Sequence, residues 1–138
     1  MTTFTNKLVA IVNKELESGV AMNSLAHMSL GLAGALSKNM LNLDNYIDGD
    51  GNVYPNISQM PYIILRGKSS EIRKAVLAAR ENNIEHTAFL DTMTGGTYLE
   101  QLERTKSCKE TELVYYGCVL FGPWGKVSEI TRKFSLWK

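Results

Sequence analysis

Apolar positions along the chain change period several times, and each change marks an element. Lys7 to Val12 (KLVAIV) is a short β-branched run, and after Gly19 the stretch Val20 to Leu36 repeats Leu25, Met28, Leu32 and Leu36 at helical spacing. The first pattern predicts a buried strand and the second a helix. Ala26, Gly31, Ala33 and Gly34 line another side of that helix, small enough for a strand or helix to approach closely. Residues 39–60 carry the Gly, Asp, Asn and Pro content of a loop, a long one of the kind that often holds function. Pro61 to Gly67 predicts a second strand, with its proline at the first position. Ser69 or Ser70 then caps a second helix over Ile72, Val76, Leu77 and Ala79, which Asn82-Asn83 ends.

His86 to Thr92 predicts the third strand and Met93 to Gly96 a turn. Thr97 and Glu100 form a capping-box pair for a short polar helix with Leu99 and Leu102. Glu112 to Phe121 predicts the fourth strand, closed by Gly122-Pro123. Lys126 to Trp137 predicts a last helix with Val127, Ile130, Phe134 and Trp137 on one face, so that the chain closes inside its own core. Strand and helix alternate four times, the order of a three-layer α/β/α sandwich with crossover connections.

Composition adds little that conflicts. A chain of 138 residues fits one domain, 1–138, and 44% apolar with 21% charged residues is the balance of a soluble globular protein. Fifteen basic and 14 acidic residues leave a net charge of +1, so the total selects no polyanion and nucleic acid is not an expected partner. No run has the length of a membrane span, and residues 1–6 lack the order of a secretory signal. The expected location is the cytoplasm. Cys108 and Cys118 have no metal spacing and are expected as free thiols. Neither a cofactor nor a metal is expected.

Several polar residues carry two readings each. His27 lies one turn after Asn23, so the two share a face; imidazole suits catalysis or ligand binding, and equally a structural histidine satisfied by a carbonyl. Asp91 ends a strand beside a turn, where open α/β sheets bind ligands, yet an acid there also caps turns. Met93-Thr94-Gly95-Gly96 before a helix start offers free amides to an anion, or is a tight connection alone. Asp48-Gly-Asp-Gly-Asn52 begins like a calcium loop, but Val53 and Gln59 stand where the glycine and closing glutamate belong. It is read as a turn.

KLVAIVNKEL, then Gly19, then a helix bearing Ala26-His27, resembles the opening of the type II peptidyl-tRNA hydrolases. The Gly122-Pro123 close with Ile130-Thr131 fits the same family, which implies a four-stranded mixed sheet. The whole chain also resembles a family of proteins of unknown function sharing that fold, through LAHMSLGLA, Asp48 to Asn52 with Pro55 and Ser58, and FGP followed by TRKFSLW. In the hydrolases a lysine opens the first helix; Val20 falls at that place, and no lysine lies between Lys14 and Lys38. Their aspartate at the end of the third strand matches Asp91, whereas Gly95 and Gly117 occupy the places of their threonines.

The resemblance therefore implies a small-ligand or nucleotide-type hydrolase or binding protein, its active site diverged, without efficient peptidyl-tRNA cleavage. The expected pocket joins Asn23 and His27 to Asp91, Thr92 and Thr94, with Asp91 as base or water-orienting group and His27 as its partner. A small anionic or phosphate-bearing ligand is expected near Thr94, Gly95, Gly96 and Thr97. The alternative is a non-catalytic homodimer acting through protein contacts. Convergence of His27 and Asp91 on one pocket favours the first, an exposed apolar patch the second.

Overall fold

The first strand is apolar at every position from Leu8 to Val12, so both of its faces need covering, and the computed structural model, which describes residues 4–138, shows how. Strand β1 (Asn6–Asn13) is followed by α1 (Ser18–Ala35), β2 (Leu43–Ile47), β3 (Val53–Ser58), β4 (Tyr62–Gly67) and α2 (Ser69–Glu81). Then come β5 (Glu85–Leu90), α3 (Tyr98–Ser107), β6 (Tyr115–Pro123), α4 (Trp124–Thr131) and β7 (Ser135–Leu136). One mixed sheet has the order β5-β6-β1-β4-β7, with β1 parallel to β4 and antiparallel to β6.

Alternation along β1 sorts its residues between two cores. Leu8 and Ala10 meet Met28 and Leu32 of α1 together with Phe89, Val119 and Phe121. Val9 and Ile11 meet Ile72, Val76 and Ala79 of α2 and Val127 of α4 on the opposite face. One helix thus covers one face and two helices the other. Among the described residues no helix is long and apolar enough to cross a membrane.

The structure corrects the expected sheet in three places. It has five strands rather than four, because the chain after α4 does not remain helical. The amide of Trp137 donates to the Ile64 carbonyl at 2.9 Å, and Leu65 and Arg66 pair with Leu136 and Ser135. Residues 39–60 are also more than a loop: β2 and β3 form a separate antiparallel hairpin, bulged between Asp44 and Tyr46. Pro55 is tolerated because a two-stranded sheet is all edge. The fourth expected strand begins later, at Tyr115, after a single 3-10 turn over Glu110–Glu112.

Asp48 organises the hairpin turn. Its Oδ1 accepts from the amides of Asp50 and Asn52, both at 2.9 Å, and its Oδ2 accepts from Asn52 Nδ2 and Tyr54 Oη at 3.0 and 2.7 Å. Those donors, Tyr54 first, lower its pKa to about 2. The expected turn stands, and its carboxylate is turned inward to hydrogens.

Ser69 does not cap α2. Its hydroxyl accepts from the Tyr115 amide at 2.8 Å, while the Glu71 carboxylate takes the Lys68 amide at 2.9 Å.

Candidate functional site

Helix α1 has no salt-bridging side chain to place it, so packing and two hydroxyls set its position. Thr87 Oγ1 donates to the Met28 carbonyl at 3.2 Å, and Ser29 Oγ lies 2.8 Å from Tyr62 Oη. The first contact brings α1 close over β5 and lays the imidazole of His27 on Phe89, ring centres 5.4 Å apart and 17° from parallel. Phe89 leans in turn on Tyr116 at 6.4 Å. His27 is exposed, not sealed in the core.

Beside this stack runs a groove of about 370 Å³ between α1 and α3. Phe89 and Met93 line it with Tyr98 and Leu102 of α3, and its polar groups are His27, Gln101 and Thr105. The lining is mainly apolar, with polar groups on two sides, the usual make-up of a small-molecule site. The sequence named only His27 among them for a site. Tyr98, Leu102 and Thr105 recur at four- and three-residue spacing on α3, a signal present in the chain but masked by the polarity of the helix.

The residues expected to accompany His27 are engaged elsewhere. Asp91 lies in a 3-10 turn after β5, where its Oδ1 accepts from the Val114 amide at 3.1 Å and its own amide donates to the Val114 carbonyl at 3.0 Å. It clamps the end of β5 to the segment leading into β6, and it does not line the groove. Asn23 is exposed on the outer side of α1 and does not line it either. Thr92 is buried, its Oγ1 2.7 Å from Thr105 Oγ1. Thr94 Oγ1 donates to the Asp91 carbonyl at 2.7 Å.

The turn proposed for an anion already holds one. Gly95 and Gly96 take left-handed φ of 73° and 71°, a conformation glycine adopts freely, and turn the chain into α3. There Glu100 Oε1 accepts the Thr97 amide at 2.9 Å while Thr97 Oγ1 accepts the Glu100 amide at 3.2 Å, the expected capping box. These bonds hold the Glu100 carboxyl below the usual range. From the other side Arg104, which the sequence did not single out, donates to the carbonyls of Thr92, Thr94 and Gly95 at 3.2, 2.6 and 2.9 Å. The guanidinium thus organises the turn from below. Among the described residues no three His, Cys, Asp or Glu side chains are grouped as metal ligands would be.

A family model described as "Protein of unknown function (DUF2000)" matches residues 6–138. No curated protein matches. Among solved structures, the protein of unknown function Atu0240 from Agrobacterium tumefaciens strain C58 is similar, with 20% identity and a TM-score of 0.86 over 99% of this chain and 100% of its own. At that identity the likeness shows the mixed α/β fold and nothing of activity.

Proposed function

The chain belongs to the DUF2000 family, and from that premise we propose that it is a small-ligand binding protein whose site is the groove between α1 and α3. The observation that carries this reading is the stack of His27 on Phe89, which gives a mainly apolar groove an aromatic wall with a hydrogen-bonding edge. A planar ring with one polar substituent fits that chemistry: the ring faces Phe89, Tyr98 and Leu102, and the substituent meets His27 or Gln101.

Hydrolysis is the weaker half of the expectation. The residues lining the groove include no carboxylate, and Asp91, outside that lining, accepts from the Val114 amide, so the groove itself supplies His27 with no acid partner. We read the fold as type II peptidyl-tRNA hydrolase-like, on the order strand, glycine, helix with Ala26-His27, and on Gly122-Pro123 before a helix. Val20 occupies the first turn of α1 where those enzymes use a lysine, which leaves the chemistry without its cation.

The test is a titration of the protein with indole, quinoline and adenine, followed by the ring resonances of His27. Saturable shifts are expected for at least one probe, and Tyr98→Ala or Leu102→Ala, both exposed positions, weakens that binding about tenfold, equivalent to ~1.4 kcal/mol. Resonances that no probe moves, or binding indifferent to both substitutions, would overturn the reading.

A further inference from the structure

We infer that the chain assembles as a two-fold homodimer in which the β2–β3 hairpin of each copy lies in an apolar groove beside α1 of the other. The starting point is α1 itself, 18 residues without one Asp, Glu, Lys or Arg. One side of it lies on the sheet. The outer side leaves Met22 66% and Leu30 74% exposed with Ala26 between them. An uncharged helix with large apolar side chains on its outer side calls for cover there, and a single chain covers only the sheet side of this one.

The hairpin is the second uncovered element. Tyr46 pairs with Tyr54 and Ile47 with Val53, so successive pairs point to opposite faces and both faces are apolar and exposed. Among the described residues neither strand packs extensively on any other helix or strand. A lone two-stranded hairpin is marginal in water and gains stability from a surface to lie on.

The same chain offers that surface at a distance its own hairpin does not cover. A groove of about 290 Å³ runs between the first half of α1 and the β4–β7 edge, lined by Val12, Met22, Leu25, Ile64 and Trp137. The hairpin leaves from the opposite end of α1, where Ser58 Oγ donates to the Leu41 carbonyl at 2.9 Å. A two-fold axis through the middle of α1 sets the helix antiparallel to its copy, so each hairpin root arrives at the other's groove. Two complementary patches at opposite ends of one helix are what an isologous dimer requires.

Charge agrees with a second copy as the occupant. Near the axis every residue faces itself, so any charge there would meet its like, and α1 has none. The dimensions are compatible as well, with α1 about 27 Å long and the hairpin strands about 17 and 20 Å.

Sedimentation velocity of the full chain from 1 to 100 µM tests the inference, with Ile47→Lys as arm variant and Met22→Lys as groove variant. Both positions are exposed, and circular dichroism checks that the fold persists. The unmodified chain is expected to be a dimer, and each variant alone to dissociate at least tenfold more readily. An equimolar mixture of the two variants is expected to form a hybrid dimer, because one intact arm then meets one intact groove. A monomeric chain at 100 µM overturns the inference and assigns the arm to a different protein or to a membrane surface. Dimers that ignore both substitutions, or variants that form no hybrid on mixing, overturn the arm exchange. The readout is mass, so it is independent of whether the groove between α1 and α3 binds a ring.

Discussion

Gly117 of β6 lies directly beneath α1. A Cβ there would stand 2.7 Å from Met28 Cε and 2.9 Å from the Ile11 carbonyl oxygen, and the second of these is backbone that cannot swing aside. The position that the resemblance aligns with a threonine of the peptidyl-tRNA hydrolases is therefore closed in this chain. Gly117→Thr is expected to lower stability by about 1–3 kcal/mol, the cost of an overfilled core, measured as the urea midpoint; an unchanged midpoint would mean that α1 lifts freely. Asp91 gives a second expectation at this scale. Asp91→Ala removes the acceptor for the Val114 amide and should cost about 1 kcal/mol, while Asp91→Asn keeps Oδ1 and most of the stability. Neither change should alter ligand shifts at His27, since Asp91 does not line its groove.

Between elements, the ion pair of Arg73 on α2 with Glu110 ties α2 to the entrance of β6. Arg73 Nε reaches the two carboxylate oxygens at 2.9 and 2.8 Å, and Tyr115 Oη donates to Oε2 at 2.7 Å. Arg73 first and Tyr115 second bring the Glu110 pKa from 4.5 to about 2. Because the folded value is the lower one, this stabilisation is complete above about pH 4.5 and is lost as the pH falls toward 2. The difference in urea midpoint between the unmodified chain and Glu110→Gln should shrink over that window and vanish at its lower end. Such links between distant residues have no mark in the sequence, whereas local ones do: the Thr97–Glu100 capping box, the end of α2 at Asn82-Asn83 and β1 were all legible, because each rests on neighbours in the chain. The hairpin was missed because Pro55 and the Asp-Gly run argue for a loop, although Tyr46, Ile47, Val53 and Tyr54 flank that run symmetrically. The chain end misled because Phe134 and Trp137 continue the helical spacing of Val127 and Ile130, although α4 ends at Thr131 and Ser135 and Leu136 then pair with β4. Trp137 is consequently half-buried, and Trp137→Ala should cost about 1–2 kcal/mol, below the 3–5 of a fully enclosed aromatic.

At the scale of the whole molecule, His27 was visible as a titratable residue on a helix face, but its neighbours Phe89, Tyr98 and Leu102 come from two other elements, β5 and α3, that only the tertiary fold brings to α1. The expected partner Asp91 shares a sheet edge with that groove and has other work. With Val20 where the resemblance would place a lysine, the chain is not expected to support growth of a strain deprived of its own peptidyl-tRNA hydrolase; growth restored by the unmodified chain would refute this. One further consequence follows from the place of β1 in the middle of the sheet, with Lys7 opposite Gly122. During synthesis β1 leaves the ribosome long before β6 exists, and its apolar stretch has no lasting partner on one side for most of translation. Closing so long a loop is slow, so the apolar stretch of β1 is expected to stay exposed over that interval and the sheet to be completed only once β6 has been made.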